Sequence, residues 1–119
     1  MTILLVHGDQ IKLQNLQQHV QTCYPDSRIL AFSDRNEALT CIEQNADTID
    51  RCFTAVKVKC ASGMKIVKKL REANSKSKNV LISETNEYAM DAWQLGVCDY
   101  LLEPVTLESV QHTLKSCGK

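Results

Sequence analysis

The stretch Ile3-Leu4-Leu5-Val6-His7-Gly8-Asp9 decides how the chain is read. An unbroken apolar run, without the polar alternation of a half-exposed strand, predicts a strand covered on both faces. The run stops at His7-Gly8, and Asp9 is suited to cap a helix. Leu13, Leu16, Val20 and Cys23 then recur at helical spacing until Tyr24-Pro25-Asp26 breaks the pattern. A short buried strand feeding a capped amphipathic helix is half of a strand–helix–strand unit.

The same unit repeats down the chain. Arg28 to Phe32 reads as a second strand, and Asp34 with Glu37 predicts a capping box for a helix through Gln44. Cys52 to Val58 reads as a third strand, with Phe53, Ala55, Val56 and Val58 as its apolar side chains. After Ala61-Ser62-Gly63, Met64, Val67, Leu70 and Ala73 mark one face of a third helix. Val80-Leu81-Ile82 is a fourth strand, and Glu87 to Leu95 a short helix ended by Gly96. Tyr100-Leu101-Leu102 is a fifth strand, and Thr106 caps a last helix carrying Leu107, Val110 and Leu114. Repeated strand–helix alternation predicts one parallel sheet covered on both faces, a doubly wound α/β sandwich of five strands filling residues 1–119 as a single domain. Such sheets bind ligands beyond the carboxyl ends of their strands, where strand order reverses.

The chain has 119 residues, with 14 Lys+Arg against 14 Asp+Glu and 44% apolar residues, the composition of a folded globular domain. Zero net charge, with the cations expected to be scattered, argues against direct nucleic-acid binding. No apolar run approaches the ~20 residues of a membrane span. The start lacks an export signal, so the cytoplasm is the expected compartment. The six cysteines, Cys23, Cys41, Cys52, Cys60, Cys98 and Cys117, show no CxxC spacing and no His at ligand distance. They are expected to be reduced, mostly buried thiols.

Three pieces of the chain carry a resemblance. Asp99-Tyr100-Leu101-Leu102-Glu103-Pro104-Val105 resembles the closing strand of the receiver domain of two-component response regulators, where Lys-Pro stands at its end. Ser62-Gly63-Met64-Lys65-Ile66-Val67 resembles the stretch after that family's phosphoacceptor strand. Glu87 to Gly96 is similar to the fourth helix of receivers attached to LytTR-type DNA-binding domains. The resemblance covers essentially the whole chain and implies the flavodoxin-like fold.

It also implies a site in which an Asp at the end of the third strand takes a phosphoryl group. Two acidic residues hold magnesium there, and a lysine and a hydroxyl contact the phosphate. Matched by those motifs, the acceptor position is Lys57, the acidic pair falls on His7 and Gly8 with Asp9 beside them, and the lysine position is Glu103. Ser83 and Tyr100 keep the family's residue types at its switch positions. The loop after Lys57 reads about two residues short. Lysine has no carboxylate oxygen to form an acyl phosphate, and a His-Gly pair is a poor magnesium site. These residues predict a degenerate pseudo-receiver with no catalytic residue, metal or cofactor.

The reversed charges at Lys57 and Glu103 predict an ion pair filling the vacated pocket. His7 reads either as a ligand or pH sensor or as a structural histidine, and Asp9 as a helix cap or a residual metal ligand. Glu103-Pro104 is a candidate cis peptide, and Met90 with Trp93 reads as a contact surface or as core. The expected function is a phosphorylation-independent signalling module that meets a protein partner, or a second copy, through its fourth helix, fifth strand and fifth helix, and thereby controls an output domain. The alternatives are an unorthodox acceptor such as Ser83, or a sensor of a small anion held by Lys57 and Lys59.

Overall fold

A computed structural model describes residues 1–59 and 61–118. The first strand, β1 (Thr2–Val6), is buried from Ile3 to Val6, as its unbroken apolar run predicts. Ile3 and Leu5 face one layer of core with Leu13, Leu16 and Val20 of α1 (Gln10–Cys23), whereas Leu4 and Val6 face the other. That second layer holds Ala38 and Ile42 of α2 (Arg35–Asn45), which follows β2 (Arg28–Phe32). Both helices begin at an aspartate. Asp9 accepts hydrogen bonds from the backbone of Ile11 and Lys12, and Asp34 from Asn36 and Glu37. The reciprocal capping box expected at Asp34 and Glu37 falls instead on α5 (Leu107–Ser116), between Thr106 and Ser109.

The third strand departs from the sequence expectation. β3 (Arg51–Ala55) stops at Ala55, and the chain turns at Val56. Lys57–Val58 (β4) then pairs antiparallel with Ala61–Ser62 (β5), forming a small ribbon outside the main sheet. Lys59, between them, takes a positive φ of 60°. After the ribbon comes α3 (Met64–Ala73), whose buried side chains are Ile66, Val67 and Leu70; Ala73 is exposed rather than part of the inner face.

β6 (Lys78–Ser83), α4 (Ala89–Gln94) and β7 (Asp99–Leu102) complete the alternation. The fourth helix is shorter than the expected Glu87–Leu95, and Gly96 closes it at φ 78°. All five sheet strands are parallel, in the order β2-β1-β3-β6-β7, giving a flavodoxin-like α/β fold. Order reverses between β1 and β3, which places the carboxyl ends of those two strands at the switch point. Among the described residues, no helix is long and apolar enough to cross a membrane.

The expectation of reduced thiols is corrected at one pair. Cys98, just before β7, and Cys117, at the end of α5, are joined by a disulfide across a Cα–Cα distance of 5.2 Å. Packing of α5 against β7 is what brings them together. Cys23, Cys41 and Cys52 are free, and complete burial pushes the Cys52 thiol far up. Cys60 lies outside the described residues.

Candidate functional site

His7 follows β1 directly, and its backbone N–H donates to Phe32, so the side chain emerges at the switch point. It is only 8% exposed. Its Nδ1 accepts the backbone N–H of Asp9 at 3.1 Å. That leaves Nε2 to carry the ring proton, which it donates to Glu103 Oε1 at 2.5 Å. Glu103 reaches this point because it follows β7, with its own N–H on the carbonyl of Ser83. Its second oxygen, Oε2, accepts from Lys12 Nζ at 3.1 Å, and Lys12 also lies 3.6 Å from Glu84.

The expected ion pair of Lys57 with Glu103 is therefore corrected. Glu103 is held by His7 and Lys12, and Lys57 is exposed, with no ion pair among the described residues. Burial works against the charge on Glu103, but the hydrogen bonds from His7 and Lys12 and the charge of Lys12 outweigh it and hold the carboxyl below its ordinary range. The hydrogen bond and charge of Glu103 raise the Lys12 ammonium in turn. Lys12 was not anticipated. Its position in the first turn after Asp9 was the available signal, because that turn starts at the same carboxyl end of β1.

Loss of the carboxylate from this partly buried triad leaves the buried His7 without its partner. Glu103→Gln is expected to cost about 2 kcal/mol at neutral pH, measured by urea unfolding. The Glu103 carboxyl is depressed in the fold, so its contribution is full above its ordinary value of 4.5 and disappears as pH falls through the folded value. Stability curves of the two proteins should thus converge in acid; parallel curves would contradict the assignment.

The assignment of the acceptor position to Lys57 is also corrected. Thr54 is level with Val6 in the sheet, so Ala55 is level with His7 and is the residue that closes β3. Moving the position from 57 to 55 also restores the two residues by which the following loop had read short. A methyl group thus stands where a nucleophile would be sought. His7, Ala55, Lys57, Ser83, Thr85 and Glu103 are among the residues lining a pocket of about 140 Å³ at these strand ends.

The acidic-pair positions hold no carboxylate. A Cβ at Gly8 would lie 2.6 Å from the backbone nitrogen of Lys59, so the β4–β5 ribbon occupies the space a side chain there would need. Asp9 is spent on α1: the backbone N–H groups of Lys12 and Ile11 that it accepts and the nearby charge of Lys12 lower its pKa against a smaller effect of burial. No three His, Cys, Asp or Glu side chains converge among the described residues. This donor set does not fit magnesium, which prefers several oxygen ligands in octahedral array.

Ser83 and Tyr100, the positions the resemblance gives as switches, are tied to one loop. Ser83 Oγ accepts the Thr85 N–H at 3.2 Å, and the Tyr100 hydroxyl donates to the Thr85 carbonyl at 2.6 Å. Glu103-Pro104 is cis. Met90 and Trp93 lie on the surface, 73% and 52% exposed, and Leu102 of β7 is 45% exposed.

A family model described as the response regulator receiver domain matches residues 3–115. A response regulator receiver domain protein from Clostridium thermocellum superposes with a TM-score of 0.83 at 22% identity, covering 96% of this chain and 90% of that one. A CheY-like receiver protein from Methanospirillum hungatei JF-1 also gives 0.83, at 17% identity over 98% of this chain and 91% of that one. The Vibrio cholerae chemotaxis protein CheY4 gives 0.80 at 18% identity, covering 96% and 95%.

Proposed function

The chain belongs to the response regulator receiver domain family, and on that premise we propose that it is a phosphorylation-independent receiver, a cytoplasmic signalling module that works by protein contact rather than by accepting phosphate. The observation that carries this reading is Ala55 at the end of β3, where acyl phosphate formation needs a carboxylate oxygen. The triad of His7, Glu103 and Lys12 supports it, because it satisfies at rest the groups that a phosphoryl oxygen and its cation would otherwise engage. Exposed Met90, Trp93 and Leu102 support α4, β7 and α5 as the partner face, since large apolar side chains anchor interfaces. Through that face the module regulates an output domain.

Incubation with acetyl phosphate and magnesium, followed by intact mass measurement, tests the proposal. An unchanged mass is expected. A stoichiometric gain of one phosphoryl group, on Ser83 or elsewhere, would overturn it.

A further inference from the structure

The zero net charge conceals a sharp separation, which corrects the expectation of scattered cations. Residues 57–78 carry eight of the 14 Lys and Arg and a single acid, Glu72. Residues 79–114 carry six acids and no Lys or Arg. In the fold the two segments lie side by side. Val67 of α3 and Ala92 of α4 share one apolar cluster, and Arg71 donates to the Gly96 carbonyl at 3.1 Å.

On the outer side of α3, Lys65 and Lys68 are exposed and have no ion pair among the described residues, whereas Lys69 is paired with Glu43. Glu87 and Asp91, at α4, are equally exposed and unpaired among those residues. A basic stripe thus runs beside an acidic one. Along α3 lies an open groove of about 550 Å³, whose lining includes Met64, Lys65, Lys68 and Leu95. Met90 and Trp93 protrude from α4 at a spacing of three, on one side of the helix.

We propose that the α3–α4 face binds a second copy of this chain about a two-fold axis, α3 of each copy lying on α4 of the other. A two-fold contact brings one surface against itself, so it must be self-complementary. Adjacent stripes of opposite sign meet that condition, because the rotation sets Lys65 and Lys68 against the other copy's Glu87 and Asp91 twice over. Met64 and Leu95 supply the groove's apolar lining, and the charges set register and approach. The alternative two-fold contact, through α4, β7 and α5, would oppose Glu87, Asp91 and Glu108 to themselves, with Lys115 the one Lys or Arg in those three elements. This inference rests on the reading of α4 as a partner surface and names its occupant.

Sedimentation velocity of the intact chain tests it. The wild type is expected to form dimers at low salt that weaken as salt rises. The variants K65E/K68E and E87K/D91K, whose changes are confined to exposed positions, should each be monomeric with unchanged circular dichroism. Mixed in equal amounts they should form a one-to-one dimer, since both stripes are then complementary again. A wild type that stays monomeric, a dimer that survives both charge variants, or a mixture that stays monomeric would overturn the proposal. None of these outcomes bears on the acetyl phosphate measurement, so the two readings fail separately.

Discussion

Gly63→Ala is expected to abolish or nearly abolish folding, at a cost of about 4 kcal/mol or more against the roughly 5–15 kcal/mol that holds a domain together. The backbone there, at φ −78° and ψ −14°, is open to any residue, so conformational freedom is not what glycine contributes. The reason is proximity. Gly63 donates its N–H to Val56 and lies so close to the end of β3 that a Cβ would sit 1.8 Å from the carbonyl oxygen of Ala55 and 2.9 Å from Thr54 Oγ1. Both the obstructing carbonyl and the glycine belong to backbone fixed by the sheet and by α3, so neither yields cheaply. Gly96→Ala is the contrasting control. It meets only the flexible end of Arg71 at 3.0 Å and should lose about 1 kcal/mol for its left-handed φ. Equal urea midpoints for the two variants would refute the packing described for the β3–α3 junction.

Gly8→Asp has the second largest expected effect, about 3 kcal/mol of destabilisation with no gain in magnesium affinity. The substitution returns an acidic side chain to a position where receivers carry one, yet its Cβ would sit 2.6 Å from Lys59 N and 3.3 Å from the Val58 carbonyl carbon. To admit it, the β4–β5 ribbon must move away from the strand ends, against its own pairing of Lys57 with Ser62 and Val58 with Ala61. Thermal unfolding with and without magnesium measures both halves of the expectation. A stable variant whose melting temperature rises with magnesium would show that the ribbon yields and that the site assembles once an acid is restored.

Much of the architecture was legible because its signals are local and repeated. The continuous apolar run of β1, the aspartates before α1 and α2, and Gly96 after α4 each report a backbone requirement through one or a few side chains. The end of β3 was not legible. Val56 and Val58 extend the β-branched pattern past the true end of the strand, and only pairing with β6, which ends at Ala55 opposite Ile82, distinguishes sheet from ribbon. That boundary error carried the acceptor position to Lys57.

The candidate site was legible as a location but not as a network. Charge reversal at Lys57 and Glu103 invited a pair between them, whereas Glu103 meets His7 and Lys12 from the other side of the switch point. A sequence shows which charges exist, but strand order decides which of them share a pocket. The same limit hid the disulfide, since Cys98 and Cys117 meet only because α5 returns along β7. It also hid the relation between the basic and acidic stripes, which become neighbours only when α3 and α4 pack together.

The central claim is that the strand-end pocket offers no acceptor carboxylate at the close of β3, where Ala55 stands. Backbone amide NMR during titration with magnesium and beryllofluoride, a mimic of a phosphoryl group on a carboxylate, tests it most directly. The account predicts that the resonances of His7, Ala55, Ser83, Thr85 and Tyr100 stay where they are throughout. Saturable shifts at those residues, propagating into α4 and β7, would contradict it.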